Sequence, residues 1–279
     1  MSHRCHSVLH ARNGRLVGEI ASVTAEFQDG HVIPEHLHPE DQLLFASSGV
    51  MTLRTRESFW IVPPLRAVWI PAETPHRVAM SGPVSMRTLY LLPALCRALP
   101  RKCFVMNVSG LLRELILHVC RCKRLNKKVS SERRMAELLV EQLKQASRAP
   151  LHLPQPADRR AMRVAGVLLR DPADETPLEH LCRECGASKR TIQRLFLDET
   201  QMTFARWRQQ LRLLHGLQLL ARGEKVSAAA MDSGYSSASA FISMFRRELG
   251  STPRRYMGLS SGRGSRSGRR RMASGDPEP

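Results

Sequence analysis

Residues 178–204, "LEHLCRECGASKRTIQRLFLDETQMTF", and residues 226–253, "VSAAAMDSGYSSASAFISMFRRELGSTP", are one pattern written twice. A shift of 49 residues lays Ser188 on Ser237, Ile192 on Phe241, Leu195 on Met244 and Phe196 on Phe245. The same shift brings Glu199 onto Glu248 and Thr203 onto Thr252; Gly186 answers to Gly234, one residue short of that register. A serine followed by apolar residues at +4, +7 and +8 predicts an N-capped helix with one buried stripe. Each glycine would end the preceding short helix in the left-handed conformation. Thr176, Pro177, Leu178 and Glu179 predict a capping box with proline at the first helical position. Between the units, "TFARWRQQLRLLHGLQLLARG" puts Phe204, Trp207, Leu211 and Leu214 on one face, the mark of a single rigid spacer helix. Two helix-turn-helix units in register is the outcome, and in that motif the second helix enters the DNA major groove.

Charge agrees with that destination. The 279 residues carry a net charge of +18, a field that favours nucleic acid or another polyanion. Aromatic residues are only 5%, which leaves a general RNA binder short of stacking surface. No apolar run is long enough to cross a bilayer, and "MSHRCHSVLHARNGR" lacks the apolar core of a signal peptide, so a cytoplasmic chain with no membrane partner is expected. Seven cysteines include Cys182-x-x-Cys185 and Cys120-x-Cys122, but no second pair of matching spacing completes a zinc site. They are expected to be small core residues.

The stretch from about Arg160 to Met257 resembles the DNA-binding domain of the AraC/XylS family of bacterial transcription regulators. The resemblance is carried by "SKRTIQRLF", "ARWRQQLRLLHGLQLL" and "SGYSSASAFISMFRRELGSTPRRY". It implies a monomeric, two-lobed reader of double-stranded DNA whose recognition helices enter successive major-groove segments. In the first recognition helix, after Ser188, the positions outside the core stripe are Lys189, Arg190, Gln193 and Arg194. Glutamine can pair with the adenine edge and arginine with the guanine edge, each through two hydrogen bonds. The family's base-contacting positions match best at Arg190, Gln193 and Arg194. In the second helix, after Ser237, the equivalent positions hold Ala238, Ser239, Ile242 and Ser243, none a long multivalent donor. Arg246 and Arg247 lie one turn later and suit phosphate. The second lobe should anchor more than it reads.

Up to about Leu95 the chain reads as short strands punctuated by Gly, Pro and Ser, which predicts a sandwich or barrel. Within it, "GHVIPEHLHPEDQ" places His36 and His38 one residue apart, so on a strand both imidazoles face one side. The spacing Gly30, His36-x-His38, Gln42, Gly49 resembles the first motif of the cupins, and "PAETPH", ending at His76, resembles the second. Cupins bring three histidines and a glutamate into one barrel. Here His36, His38 and His76 match, and Gln42 stands where the glutamate would be. Three imidazoles with an open position still suit Zn²⁺ or another borderline metal. A metal-free pocket for an organic effector is the other reading, and the cofactor is left unknown between them. Trp60, Arg66 and Trp69 lie near the same barrel and could shape a ligand pocket.

The expected architecture is multidomain, α and β. It comprises a cupin-like effector-sensing β-barrel (1–95), a helical linker and candidate dimerisation region (96–158), an all-α double helix-turn-helix domain (159–258) and a disordered basic tail (259–279). The expected function is sequence-specific transcription regulation, as an activator that answers a small-molecule effector, contacts RNA polymerase and forms a homodimer through the linker. "VPPLRAVWIPA" is similar to a cupin-bearing subgroup that often controls a neighbouring efflux-transporter gene. The rival is a metal-dependent cupin enzyme fused to a basic DNA-binding domain. Against it, Gln42 removes the usual carboxylate ligand, and no nucleophile–base constellation stands elsewhere.

Overall fold

The structure is a computed structural model that describes residues 19–257; the tail expected to be disordered lies outside the described residues. Nine strands form the sheet: β1 (Ile20–Phe27), β2 (Val32–His36), β3 (Asp41–Arg54), β4 (Ser58–Val62), β5 (Arg66–Ile70), β6 (His76–Leu91), β7 (Phe104–Asn107), β8 (Arg124–Leu125) and β9 (His152–Pro154). All pair antiparallel in one sheet, whose main path runs β7-β5-β3-β6-β1-β8. The long strands β3 and β6 run side by side, with register shifts between Ala46 and Val50. Before that irregularity β3 pairs with β5, as Gln42 with Ile70; after it β3 pairs with β4, as Met51 with Val62. A bulge bends a strand and raises its twist. The sheet therefore doubles over, and enclosure comes from the bend: among the described strands no ladder joins β7 to β8.

Period-two alternation sorts the side chains of the bend. Leu44, Ala46, Val68 and Ile70 turn inward to meet Leu53, Ile61 and Met80 from the other half. Leu43, Phe45, Ala67 and Trp69 turn outward, where helices α1 (Gly110–Cys122) and α2 (Ser130–Gln145) cover them. Residues 96–158 thus hold two helices packed on the sheet, and also β7, β8 and β9, which join it. On α2 the buried residues are Ala136, Leu139, Val140 and Leu143, while Leu138 is 42% exposed. Met135 is half-buried against the same cluster.

The remaining helices are α3 (Arg159–Arg170), α4 (Leu178–Cys185), α5 (Lys189–Thr200), α6 (Phe204–Ala221), α7 (Val226–Asp232), α8 (Ala238–Leu249) and α9 (Pro253–Tyr256). The two recognition helices, α5 and α8, begin as the repeat predicts: Ser188 Oγ accepts the Thr191 N–H and Ser237 Oγ the Ala240 N–H, each at 3.1 Å. Gly186 takes the left-handed cap, φ 68°. The capping box before α4 does not form. Pro177 sits at the N-cap with no side-chain bond, and the Glu179 carboxylate reaches the Lys189 ammonium instead. A full opposite charge outbids a backbone amide for that carboxylate.

Helix α6 is buried along Phe204, Trp207, Leu211 and Leu214, as expected, and on other sides too, at Leu213, Leu217 and Leu220. Its extra burial comes from the sheet. Gln218 Nε2 donates to Thr52 Oγ1 at 2.9 Å, and Trp207 Nε1 donates to the Pro154 carbonyl of β9 at 2.7 Å. At Gly82, φ +71°, a Cβ would lie 2.3 Å from the Ala221 carbonyl oxygen, so only glycine lets the β6 bend meet the end of α6. Gly216, where α6 crosses α8, is equally tight: a Cβ there would lie 2.7 Å from the Phe241 ring, which is fully buried. Overpacking of about 1–3 kcal/mol should exceed the gain of about 1 kcal/mol from helix propensity, so Gly216→Ala is expected to destabilise the chain. Denaturant unfolding checks this; a more stable variant would show that Phe241 yields freely.

Candidate nucleic-acid interface and histidine cluster

On α5, Lys189, Arg190, Gln193 and Arg194 are all exposed, while Ile192 and Phe196 are fully buried. Among the described residues Arg190, Gln193 and Arg194 make no side-chain hydrogen bond or ion pair, whereas Lys189 is paired with Glu179. Three directional donors stand ready on one helix face. On α8, Ser239, Ser243, Arg246 and Arg247 are exposed, but Ala238 and Ile242 are half-buried. Ser188 and Ser237 spend their oxygens on the caps. Arg247 Nε lies 3.2 Å from Glu248 Oε1, and Arg246 makes no such pair among the described residues. The asymmetry between the lobes is therefore one of chemistry and also of exposure.

The twinned glutamates tie each recognition helix down at its far end. Glu248 accepts two hydrogen bonds from Arg206, at 2.8 and 2.6 Å, which hold its carboxyl below the usual range. Glu199 accepts the Ala157 and Asp158 N–H groups at 2.7 and 3.1 Å. Sequence reasoning missed two further residues, Arg208 and Arg212. Arg208 Nη1 donates to the Thr176 carbonyl at 3.1 Å; Arg212 donates to those of Pro172 (3.2 Å) and Gly234 (2.7 Å). They clip the approach to α4 and the turn of the second unit onto one helix. The available signal was two cations, four apart, on a helix otherwise apolar enough to be buried. Cys182 and Cys185 lie in the core of the first unit, 3% and 4% exposed, with Cys185 Sγ donating to the Cys182 carbonyl at 3.3 Å.

In the sheet, His36, His38 and His76 come together. One ring nitrogen from each lies within 4.8 Å of the others, and His36 pairs with His76 across β2 and β6. Their surroundings settle which nitrogen that can be. His36 Nδ1 lies 2.8 Å from the Pro34 carbonyl, His38 Nδ1 2.8 Å from that of Glu40, and His76 Nδ1 2.8 Å from that of Thr74. A carbonyl only accepts, so each Nδ1 carries the proton and each Nε2 the lone pair. Backbone carbonyls fixing the tautomer of convergent imidazoles are the outer-shell pattern of metal-ligating histidines.

Gln42 faces the same space. Its Oε1 lies 3.1 Å from His38 Nε2, and its Nε2 donates to Thr88 Oγ1 at 3.0 Å and Tyr90 OH at 3.3 Å. Turned over, the Gln42 amide would donate to His38 Nε2; as it stands, its oxygen and the His38 lone pair are two acceptors that a cation would bridge. The residues fit a divalent ion, with three nitrogens and one neutral oxygen. The neighbouring candidates divide. Trp60 lines a cleft at the sheet edge. Arg66 stacks on the Tyr256 ring, 5.1 Å from its centroid. Trp69 is fully buried under α1 and α2, its indole N–H donating to the Pro100 carbonyl at 3.2 Å.

Known proteins carry the same two parts. Residues 20–151 match the AraC-like ligand binding domain and residues 181–258 match a helix-turn-helix domain. The HTH-type transcriptional regulator NimR of Escherichia coli (strain K12) is 33% identical over 224 residues, 80% of this chain and 82% of that protein. The HTH-type transcriptional regulator RipA of Corynebacterium glutamicum is 39% identical over 112 residues, 40% of this chain and 34% of its own length. Among solved structures, ToxT from Vibrio cholerae O395 aligns over 88% of this chain and 99% of its own, at 12% identity and a TM-score of 0.38. No described helix is long and apolar enough to cross a membrane.

Proposed function

The chain belongs to the AraC family of transcription regulators, and on that premise we propose that it activates transcription from a specific DNA site in response to a small-molecule effector. The observation that carries this reading is the placement of α6. One helix holds both helix-turn-helix units through Arg206, Arg208 and Arg212, and the same helix is packed on the ligand-binding sheet through Gln218 and Trp207. A change in the sheet therefore acts on the element that sets the spacing of the two recognition helices. Bound near a promoter, the protein would contact RNA polymerase. A homodimer, which we place on the helices of residues 96–158, would pair two such readers. The target we assign is a neighbouring efflux-transporter gene, on the resemblance of "VPPLRAVWIPA" alone. Selection of bound DNA from a random pool, with and without cell extract, tests the reading. One enriched sequence whose occupancy changes with extract is the expected result, and no enrichment would overturn it.

For the histidine cluster we infer a divalent ion held by His36, His38 and His76, with the Gln42 amide oxygen as fourth ligand. Such an ion would supply a Lewis-acid anchor for an oxygen of the effector. Its support is the convergence of the three rings and of the Gln42 amide on one space. Gln42→Glu adds a charge at that oxygen and is expected to tighten Zn²⁺ binding roughly tenfold, about 1.4 kcal/mol. Competition titration against a chelator measures it, and an unchanged affinity would show that Gln42 does not reach the ion.

A further inference from the structure

A second cavity lies outside the doubled sheet. It has a volume of about 980 Å³ and opens between the β4–β9 edge, the loop at 101–104 and the last turn of α5, at Glu199, Thr200 and Gln201. Four cations line it, Arg56, Arg101, Lys102 and Arg148, against two carboxylates, Glu57 and Glu199. Several of these charges are already committed. Arg101 lies 3.2 Å from Asp41, whose side chain is fully buried, and Arg148 sits over the Phe104 ring, 4.9 Å from its centroid. Glu199 is held by two backbone amides. Arg56 and Lys102 are exposed and make no hydrogen bond or ion pair among the described residues. The Glu57 carboxylate makes no such bond among the described residues either, which leaves two uncommitted cations against one carboxylate.

The largest apolar side chains of the lining are Trp60, Phe104 and Pro154, with neutral polar groups at Thr55, Ser58, Thr74, Thr200 and Gln201. Two titratable groups there are pushed towards their neutral forms. Burial, and then the charge of Glu57, pushes the Cys103 thiol up to about 12, and burial holds His152 below its ordinary value. The cavity lies at the upper end of the roughly 300–1,000 Å³ typical of small-molecule pockets. That is far more than an inorganic anion fills.

We propose that this interdomain cleft binds a small organic anion with a planar apolar body, an aromatic carboxylate in class. The carboxylate pairs with Arg56 and Lys102, since the C-terminal end of α5 carries negative partial charge and repels it. The ring packs on Trp60 and Phe104. Because the cleft is walled by Thr200 and Gln201 of the recognition helix and by Thr74 and Pro75, which precede His76, such a ligand touches both domains at once. Occupancy favours the docked arrangement over any other by the ligand's differential affinity for it. The proposal rests on reading the chain as an effector-controlled regulator, and it adds a site distinct from the histidine cluster.

The test is calorimetric titration of the full chain with cinnamate and indole-3-acetate, each against its neutral amide. At least one acid is expected to bind at one site, with its amide roughly tenfold weaker. Arg56→Gln with Lys102→Gln should weaken that acid roughly tenfold and leave thermal unfolding unchanged, since both side chains are exposed and unpaired. If neither acid binds up to its solubility limit, if acid and amide bind alike, or if the double variant binds as the parent does, the cleft is not such a site. A chain that selects a DNA sequence yet fails these titrations overturns the cleft alone. A chain that selects no DNA overturns the regulator reading, whatever the acids do.

Discussion

If Arg190, Gln193 and Arg194 read base edges as we propose, alanine at any of them is expected to cost about 1–3 kcal/mol of affinity for the selected DNA site and to relax its sequence preference, the loss of one two-point contact. These three are exposed on α5 and uncommitted among the described residues, so no protein partner is orphaned when they are shortened. Lys189→Ala should cost less, because its ammonium is already paired with Glu179. Glu179→Ala, by freeing that charge, should strengthen binding on every sequence. Arg246→Ala and Arg247→Ala are expected to weaken all sequences alike and to lower the salt slope by about one unit per phosphate contact. Site selection for each variant at fixed salt, followed by salt titration, separates the two behaviours. A second half-site as sharply specified as the first would sink the division of labour. Half-buried Ile242 and the exposed serines would then be reading thymine methyls or DNA shape.

Trp207→Ala should be the most damaging single change to stability, at about 3–5 kcal/mol for emptying a fully buried aromatic site. Trp207 is 0% exposed and stands edge-on to Phe196 of α5, with ring centroids 5.2 Å apart. Its indole N–H also meets the Pro154 carbonyl in β9. Trp207→Phe keeps most of the packing but leaves that carbonyl unpaired, so about 1–3 kcal/mol should be lost. Against a total stability of about 5–15 kcal/mol, the alanine variant is expected to unfold at markedly lower denaturant. The phenylalanine variant should fold, bind DNA and show a looser junction between the domains by hydrogen exchange near residues 152–158. Equal losses in the two variants would mean that the hydrogen bond carries the effect and the packing little.

What the chain's own order of residues determined is periodic and local. The 49-residue repeat, its serine caps, the left-handed Gly186 and the exposed face of α5 all follow from spacing along one helix, where neighbours in space are neighbours in sequence. The meeting of His36, His38 and His76 was legible too, through a motif that compresses a strand pairing into fixed intervals. Tertiary structure decided what lies between elements distant in sequence. Glu179 left its capping box because folding brought Lys189 within reach. The histidine tautomers were settled by carbonyls that only the folded loops orient. The docking of α6 on β3 and β6, with Gly82 under Ala221, depends on two surfaces matching across more than a hundred residues. No periodicity records such a match, because it is a property of shape and of charge placement after the chain has bent.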